Sequence, residues 1–350
     1  MDIIIFVIAL SILVLVHEFG HYLAAIKTGV LVEEFGLGLP PRIFGKKIGK
    51  TIFSLNWLPI GGFCRLYGED GDKKEKNAFN NKNPWQKGLI VLGGVLMNLV
   101  MAVVIFSVVY SILGVPKETD VVKIIGVTKN SPAETAGLKE GDVILAVEQK
   151  PITKSAELIE EVGKYKNKFV KLKVESFKSK VIGEVEVEVR ENPPAGEGAM
   201  GVAVSNTEMV KLPWYRFYEG IGAGFKEAYY WGRVIFGGVT KMIGGLLLGQ
   251  VPKDVAGPIG MFQATSSIKQ SQGMLAVIHF FGIVSVNLAI VNILPFPALD
   301  GGRIIFVLYE LIAKKRVNQR FEVLVNNVGM MVLLGLLLLI TVGDIGRVLK

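Results

Sequence analysis

Four stretches of this chain carry no charged side chain: Ile3–Val16, Gly88–Pro116, Gln270–Leu299 and Val323–Gly343. About 20 consecutive apolar residues cross the hydrocarbon core of a bilayer as a helix, so the last three are long enough unaided. The first becomes long enough if its helix continues through His17–Ile26, which sets His17, Glu18 and His21 at membrane depth. Hydrocarbon offers backbone groups no partner, so such runs are confined to helices that satisfy their own hydrogen bonds. The expectation is a polytopic α-helical membrane protein of about four transmembrane helices. Three spans, with the first segment lying in the interface, is the alternative. The bulk values agree: 51% of residues are hydrophobic and 20% charged, where soluble domains carry about 25% charged. Only Asp2 precedes the first apolar run and no small-residue cleavage site follows it, which argues against a cleaved signal peptide.

Orientation is read from Lys and Arg in the short loops. Lys27, Arg42, Lys46, Lys47 and Lys50 follow the first span, and Lys314, Lys315, Arg316 and Arg320 precede the last. With four spans both groups lie on one side, which the rule makes cytoplasmic. Both termini and the long middle segment are then extracytoplasmic. The formal net charge of +8 is thereby assigned to topology and surface, with no nucleic-acid partner. The one cysteine, Cys64, has no partner for an internal disulfide.

Four regions follow. Residues 1–116 hold the first two spans, 117–195 a soluble insert, 196–269 interfacial amphipathic helices, and 270–350 the last two spans. Within the insert, Val121–Val127, Phe169–Val174 and Val185–Val189 alternate as half-buried strands. Ser155–Lys164 reads as a short helix with Leu158, Ile159 and Val162 on one face, and Asn192–Gly198 as a linker. This predicts a small α+β domain. Between Lys211 and Gln250, Trp214, Tyr215, Tyr229, Tyr230 and Trp231 crowd around Arg216, Lys226 and Arg233, a mixture suited to helices at headgroup depth.

The chemistry concentrates in His17-Glu-Phe-Gly-His21. Helical positions four apart share a face, so both imidazoles can reach one metal. Catalytic zinc takes three protein ligands and keeps a fourth position for water. Glu18, beside the first ligand, is placed to take a proton from that water. Ionisable groups at membrane depth are costly and mark function. The third ligand is sought among acids in the other apolar segments, and Asp300, after Pro295 and Pro297, is the one acid of its stretch. Prolines end a helix and let a carboxylate turn inward. His17, His21 and Asp300 are thus the expected ligands of one Zn2+ per chain. His279, alone in the third span, reads as a packed or hydrogen-bonded residue rather than a ligand.

His17–His21 in the first span, Asn292-Ile-Leu-Pro-Phe-Pro-Ala-Leu-Asp-Gly-Gly302 in a later one and the insert between them resemble the site-2 protease family of intramembrane zinc metalloproteases. The four-span plan with one insert is similar to its bacterial RseP-like branch. The run from Ser131 through Leu145, with Ala136-Gly-Leu138 and Gly141-Asp142, followed by Val147–Ile152, resembles a PDZ domain. Gly36-Leu-Gly38 and Pro59-Ile-Gly-Gly62 stand where that family has a membrane-re-entrant β-hairpin, which implies substrate-positioning roles for Gly36, Gly38, Gly61 and Gly62. Gly94-Val-Leu-Met-Asn98 resembles its second-span motif, with Val95 where a proline is frequent, and Gly257-Pro-Ile-Gly260 resembles another recurring element. The resemblance implies that Asn292 holds substrate backbone. It also implies regulated intramembrane proteolysis of single-span membrane proteins, such as anti-sigma factors or remnant signal peptides, in contact with membrane lipid and after an upstream site-1 protease. The PDZ-like domain either binds peptide or only excludes bulky substrates. A metal transporter would instead spread polar positions along several spans, and an inactive scaffold would have no use for the His-Glu-His-Asp set.

Overall fold

The computed structural model describes residues 2–69, 73–194, 197–248 and 257–348. Parts of two sequence-based segments, Ala195–Gly196 of the linker and Gly249–Gln250 at the end of the aromatic-rich region, lie outside the described residues. The chain divides into two compact units, one formed by residues 1–112 with 212–350 and the other by 113–211.

In the larger unit, α1 (Asp2–Thr28), α2 (Pro84–Leu113), α7 (Met274–Ile293) and α9 (Gln319–Val348) contain stretches long and apolar enough to cross a membrane. Between them in sequence lie α5 (Phe217–Leu247), α6 (Pro258–Gln272) and α8 (Asp300–Ala313). Helix α2 leaves Leu96, Val100, Val104 and Val108 exposed at four-residue spacing, one continuous aliphatic stripe. In water such a stripe is a liability, and in hydrocarbon it is the solvated surface. The chain is an integral membrane protein.

Small residues let α1 and α2 touch backbone to backbone. A Cβ on Gly20 would stand 2.1 Å from Gly93 O, and one on Gly93 would stand 2.5 Å from Gly20 O. Close packing at small residues is how helices associate where lipid tails remove the hydrophobic drive. The aromatic-rich segment, expected as several surface helices, forms one 31-residue helix, α5. Gly220 and Gly224 seat its first half on Ser107 and Ser111 of α2, and the next turn places Glu227 3.3 Å from His279 of α7. His279 is accordingly a paired residue of the bundle, packed against the Phe106 ring.

The segment after α1 is a hairpin of β1 (Val32–Ile48) and β2 (Thr51–Leu66) whose register is double. Glu34–Leu37 stands opposite Arg65–Gly62 on one side and Ile52–Leu55 on the other, while Phe44–Ile48 pairs back on Leu55–Thr51. Two long strands thus bend into four sheet positions, with Gly62–Leu66 at one edge. Gly38, at φ +80°, lies where β1 bends, and Leu58 O at 2.3 Å leaves no room there for a Cβ. Buried Glu34 accepts from Arg42 through both carboxylate oxygens, at 3.0 and 2.6 Å, tying the two halves of β1 together. Arg42, read above as a loop cation, is spent on that pair.

The smaller unit is wider than residues 117–195. Its sheet holds β3 (Val115–Val127), β4 (Val143–Val147), β6 (Phe169–Glu175), β7 (Ile182–Glu188) and β8 (Val202–Val210) in the order β7-β6-β4-β3-β8, with β5 (Lys150–Pro151) beside β4. Strand β8 pairs with β3 from Val115–Val210 to Val127–Val202, which carries the unit to Lys211. The short α3 (Pro132–Thr135) is capped by Ser131, and Gly137 and Gly141, at φ +85° and +95°, make the turns expected around Leu138. On α4 (Ser155–Val162) the core face is Leu158, Glu161 and Val162, whereas Ile159 is 69% exposed. Ile159 lies a further 100° round the helix, and Lys150 and Lys164 neutralise Glu161 in the place expected for it.

Candidate metal centre

Helix α1 presents His17 and His21 on the face packed against α2, and the Gly20–Gly93 contact, with Gly20 between them in sequence, fixes the spacing. Helix α7 stops at Ile293, the proline-containing stretch turns, and Asp300 opens α8. That first turn is clamped on the loop before it. A Cβ on Gly301 would lie 2.1 Å from Leu294 O, and one on Gly302 2.4 Å from Phe296 O. The sequence therefore needs two glycines after the aspartate to seat it.

The three side chains converge. His17 Nε2 and His21 Nε2 are 3.2 Å apart, and Asp300 Oδ2 lies 3.2 and 3.4 Å from them. Ligand atoms about 2.0–2.1 Å from a tetrahedral ion stand roughly 3.3 Å from one another, so this near-equilateral triangle has the dimensions of a zinc site. Asp300 Oδ2 is buried with no hydrogen-bond donor. A buried carboxylate oxygen facing two nitrogen lone pairs is unfavourable until a cation lies among them. The residues fit the metal.

Second contacts fix which nitrogens point inward. His21 Nδ1 donates to Ile90 O at 2.8 Å, leaving Nε2 as the lone pair. His17 Nδ1 faces the Asn98 amide, 3.3 Å from Nδ2, while Asn98 Oδ1 is buried without a partner. Half a turn of that amide sets Oδ1 on the Nδ1–H and satisfies both groups. Ser285 Oγ donates to Asn98 O at 2.8 Å, tying α7 to the same turn of α2. Asn98→Ala should weaken zinc affinity about 10- to 100-fold while the protein stays folded, the usual loss when a ligand's outer partner is removed. Titration with a competing chelator checks this, and unchanged affinity would show that Asn98 does not orient His17.

A cavity of about 470 Å³ opens onto the triad, lined also by Glu18, Phe63, Cys64, Asn98, Asn292 and Arg303. Asn292 Nδ2 is 3.4 Å from His17 Nε2. Of the four glycines singled out in the sequence, none lines the cavity, and Gly62 packs on Glu18. A Cβ there would meet Glu18 Cγ at 3.5 Å and Gly36 O at 3.1 Å. Gly36 is enclosed by Phe63 and Asn56, and Gly38 and Gly61 are bend positions at positive φ. Sequence reasoning gave no role to Gly94, Glu69 or Arg303. The first sits at a helix crossing, and the other two look like ordinary loop and helix charges.

The model of Peptidase family M50 matches residues 5–336. A Clostridium perfringens protein named as a zinc metalloprotease is 32% identical over 345 residues, 99% of this chain and 98% of its own. A Fusobacterium nucleatum protein named likewise is 30% identical over 363 residues, 99% of each chain. The zinc metalloprotease RasP of Geobacillus kaustophilus is 26% identical over 426 residues, 99% of this chain and 98% of its own. Among solved structures, the PDZ domain of an SdrC-like protein from Listeria innocua covers 24% of this chain and 93% of itself, at 22% identity and a TM-score of 0.22.

Proposed function

The chain belongs to Peptidase family M50, and from that premise we propose that this membrane zinc metalloprotease cuts transmembrane segments of single-span membrane proteins. The observation that carries the reading is the union of one cavity and one sheet edge. His17, His21, Asp300 and Glu18 share a cavity with Phe63, Cys64 and Leu66 of the edge strand. Beyond its pairing with β1, no strand covers that edge among the described residues. A helical substrate hides its peptide groups in its own hydrogen bonds, so cutting it requires local unwinding. In hydrocarbon the freed N–H and C=O groups need new partners, and an open strand edge supplies them by adding the peptide as a further strand. The hairpin would then be re-entrant.

One zinc, when bound, polarises the scissile carbonyl and makes water more acidic. The chain's own residues do the rest. The edge strand holds the substrate extended, and the Asn292 amide, aimed into the cavity, donates to its backbone. Glu18 accepts a proton from the attacking water and returns it to the leaving nitrogen. The basic loops favour an active site nearer the cytoplasm, with the termini and the 113–211 unit outside in a bacterial inner membrane. There the PDZ-like unit would hold back substrates until a site-1 protease has trimmed them, as in the processing of anti-sigma factors or remnant signal peptides.

The test is cleavage of a panel of single-span peptides by the zinc-loaded protein in detergent, before and after chelation. Cleavage within the membrane segment that stops on chelation and returns with zinc is expected. It should be faster where glycine or proline weakens the substrate helix near the bond. No cleavage of any member by the loaded protein would overturn the reading, and equal rates for rigid and weakened helices would overturn the unwinding step.

A further inference from the structure

A second and larger cavity, of about 950 Å³, lies beside the metal cavity within the same unit. Its walls carry Lys87, Arg316 and Arg320 with Glu310 and Glu322, an assortment of charge among helices otherwise apolar. Charged groups in such a bundle persist where they are paired and reached by water. Lys87 Nζ meets Glu310 Oε2 at 2.7 Å, joining the start of α2 to α8. This cavity is therefore a hydrated vestibule.

The vestibule and the metal cavity share Glu69, Phe79 and Arg303 in their linings. Arg303 Nη1 donates to Glu69 Oε1, and Glu69 Oε2 accepts from Leu66 N at 3.2 Å. Arg303 stands one helical turn beyond Asp300, on the same face of α8. Leu66 ends the edge strand and lines the metal cavity. The ion pair thus spans from the turn that carries a metal ligand to the strand that flanks Glu18.

We propose that the Arg303–Glu69 pair is the partition between vestibule and metal cavity, setting how fast water and small hydrophilic solutes reach the metal and holding the end of the edge strand beside it. Glu69 and Arg303 are positioning residues in this role. The inference builds on the protease reading for its purpose, but the partition is measurable without any peptide being cut.

The chain contains its own reporter, because its one cysteine, Cys64, lines the metal cavity and is absent from the vestibule lining. The experiment measures, on the zinc-loaded full chain in detergent, the rate at which a charged, hydrophilic methanethiosulfonate modifies Cys64 and the rate at which a hydrophilic chelator removes zinc. Arg303→Ala and Glu69→Ala should each raise both rates about fivefold, the scale of losing one partly exposed ion pair. The exchange E69R with R303E should return both towards wild type. Lys87→Gln breaks a pair that lines the vestibule and not the metal cavity, and should leave both rates unchanged. Rates within twofold of wild type in both alanine variants would overturn the partition. So would equal increases in Lys87→Gln, which would mean general loosening, or an exchange variant as fast as the single ones. If the rates respond as expected while the wild type cuts no peptide, the protease reading fails and the partition stands.

Discussion

Replacing Glu18 by glutamine should leave the zinc content unchanged and lower cleavage of single-span substrates about 10³-fold, the range lost with a general base. Glutamine keeps the length and shape of the side chain, so packing of α1 against Gly62 at the hairpin edge is preserved. Its amide cannot accept the proton of attacking water at neutral pH. Ligation by His17, His21 and Asp300 does not involve position 18, because the converging atoms are the two Nε2 and Oδ2. The measurement is zinc per chain by elemental analysis beside cleavage rates for both proteins. Equal rates at equal zinc would sink the role of Glu18. A loss of zinc together with activity would make it a structural support of the metal centre instead.

The contrast between Glu18 and the residues around it shows what a single sequence reveals here. The long apolar helices were legible because an uncharged run of about 20 residues satisfies its own backbone as a helix, and Ile3–Ile26 lies inside α1 and Gly88–Leu113 inside α2. His17 and His21 were legible because helix pitch converts a spacing of four into one face. Asp300 was legible as a lone acid among apolar residues. The hairpin's doubled register was not, because it depends on the Glu34–Arg42 pair and on a bend at Gly38, and neither leaves a periodicity to read. The last strand of the smaller unit, Val202–Val210, was missed for a related reason. It is an edge strand, largely exposed on both faces, so its alternation is weak. Ile159 shows the reverse failure, an apolar residue placed in a core that its helical angle does not reach. The role of Gly94 exists only at the α1–α2 crossing, so the motif resemblance that marked Gly94–Asn98 gave no hint of it.

Gly94→Ala should cost the protein its metal, although it adds one methyl group inside a helix, where alanine is intrinsically favoured over glycine. A Cβ at position 94 would stand 2.5 Å from His21 Nε2, 2.6 Å from His17 Cε1 and 2.8 Å from His17 Nε2. Ordinary contact needs roughly 3.5 Å or more, so both imidazoles would have to retreat by about 1 Å, several times the ±0.2 Å that metal–ligand distances allow. Neither ring is free to do so, since Ile90 O holds His21 Nδ1 and Asn98 holds His17 Nδ1, both from α2 itself. The helices cannot separate instead without opening the adjacent Gly20–Gly93 backbone contact. The expected result is at least about a 100-fold loss of zinc affinity, beyond what removal of one outer partner gives, with cleavage lost in proportion. Gly335→Ala on α9 is the matched control, because nothing lies within 4 Å of a Cβ there and the zinc affinity should not change. Chelator competition on both variants separates the outcomes. Wild-type affinity in Gly94→Ala would mean that the imidazoles have room to move and that the α1–α2 crossing does not set the metal geometry. A variant that melts early yet, once folded, binds zinc normally would place the cost in helix packing rather than at the metal.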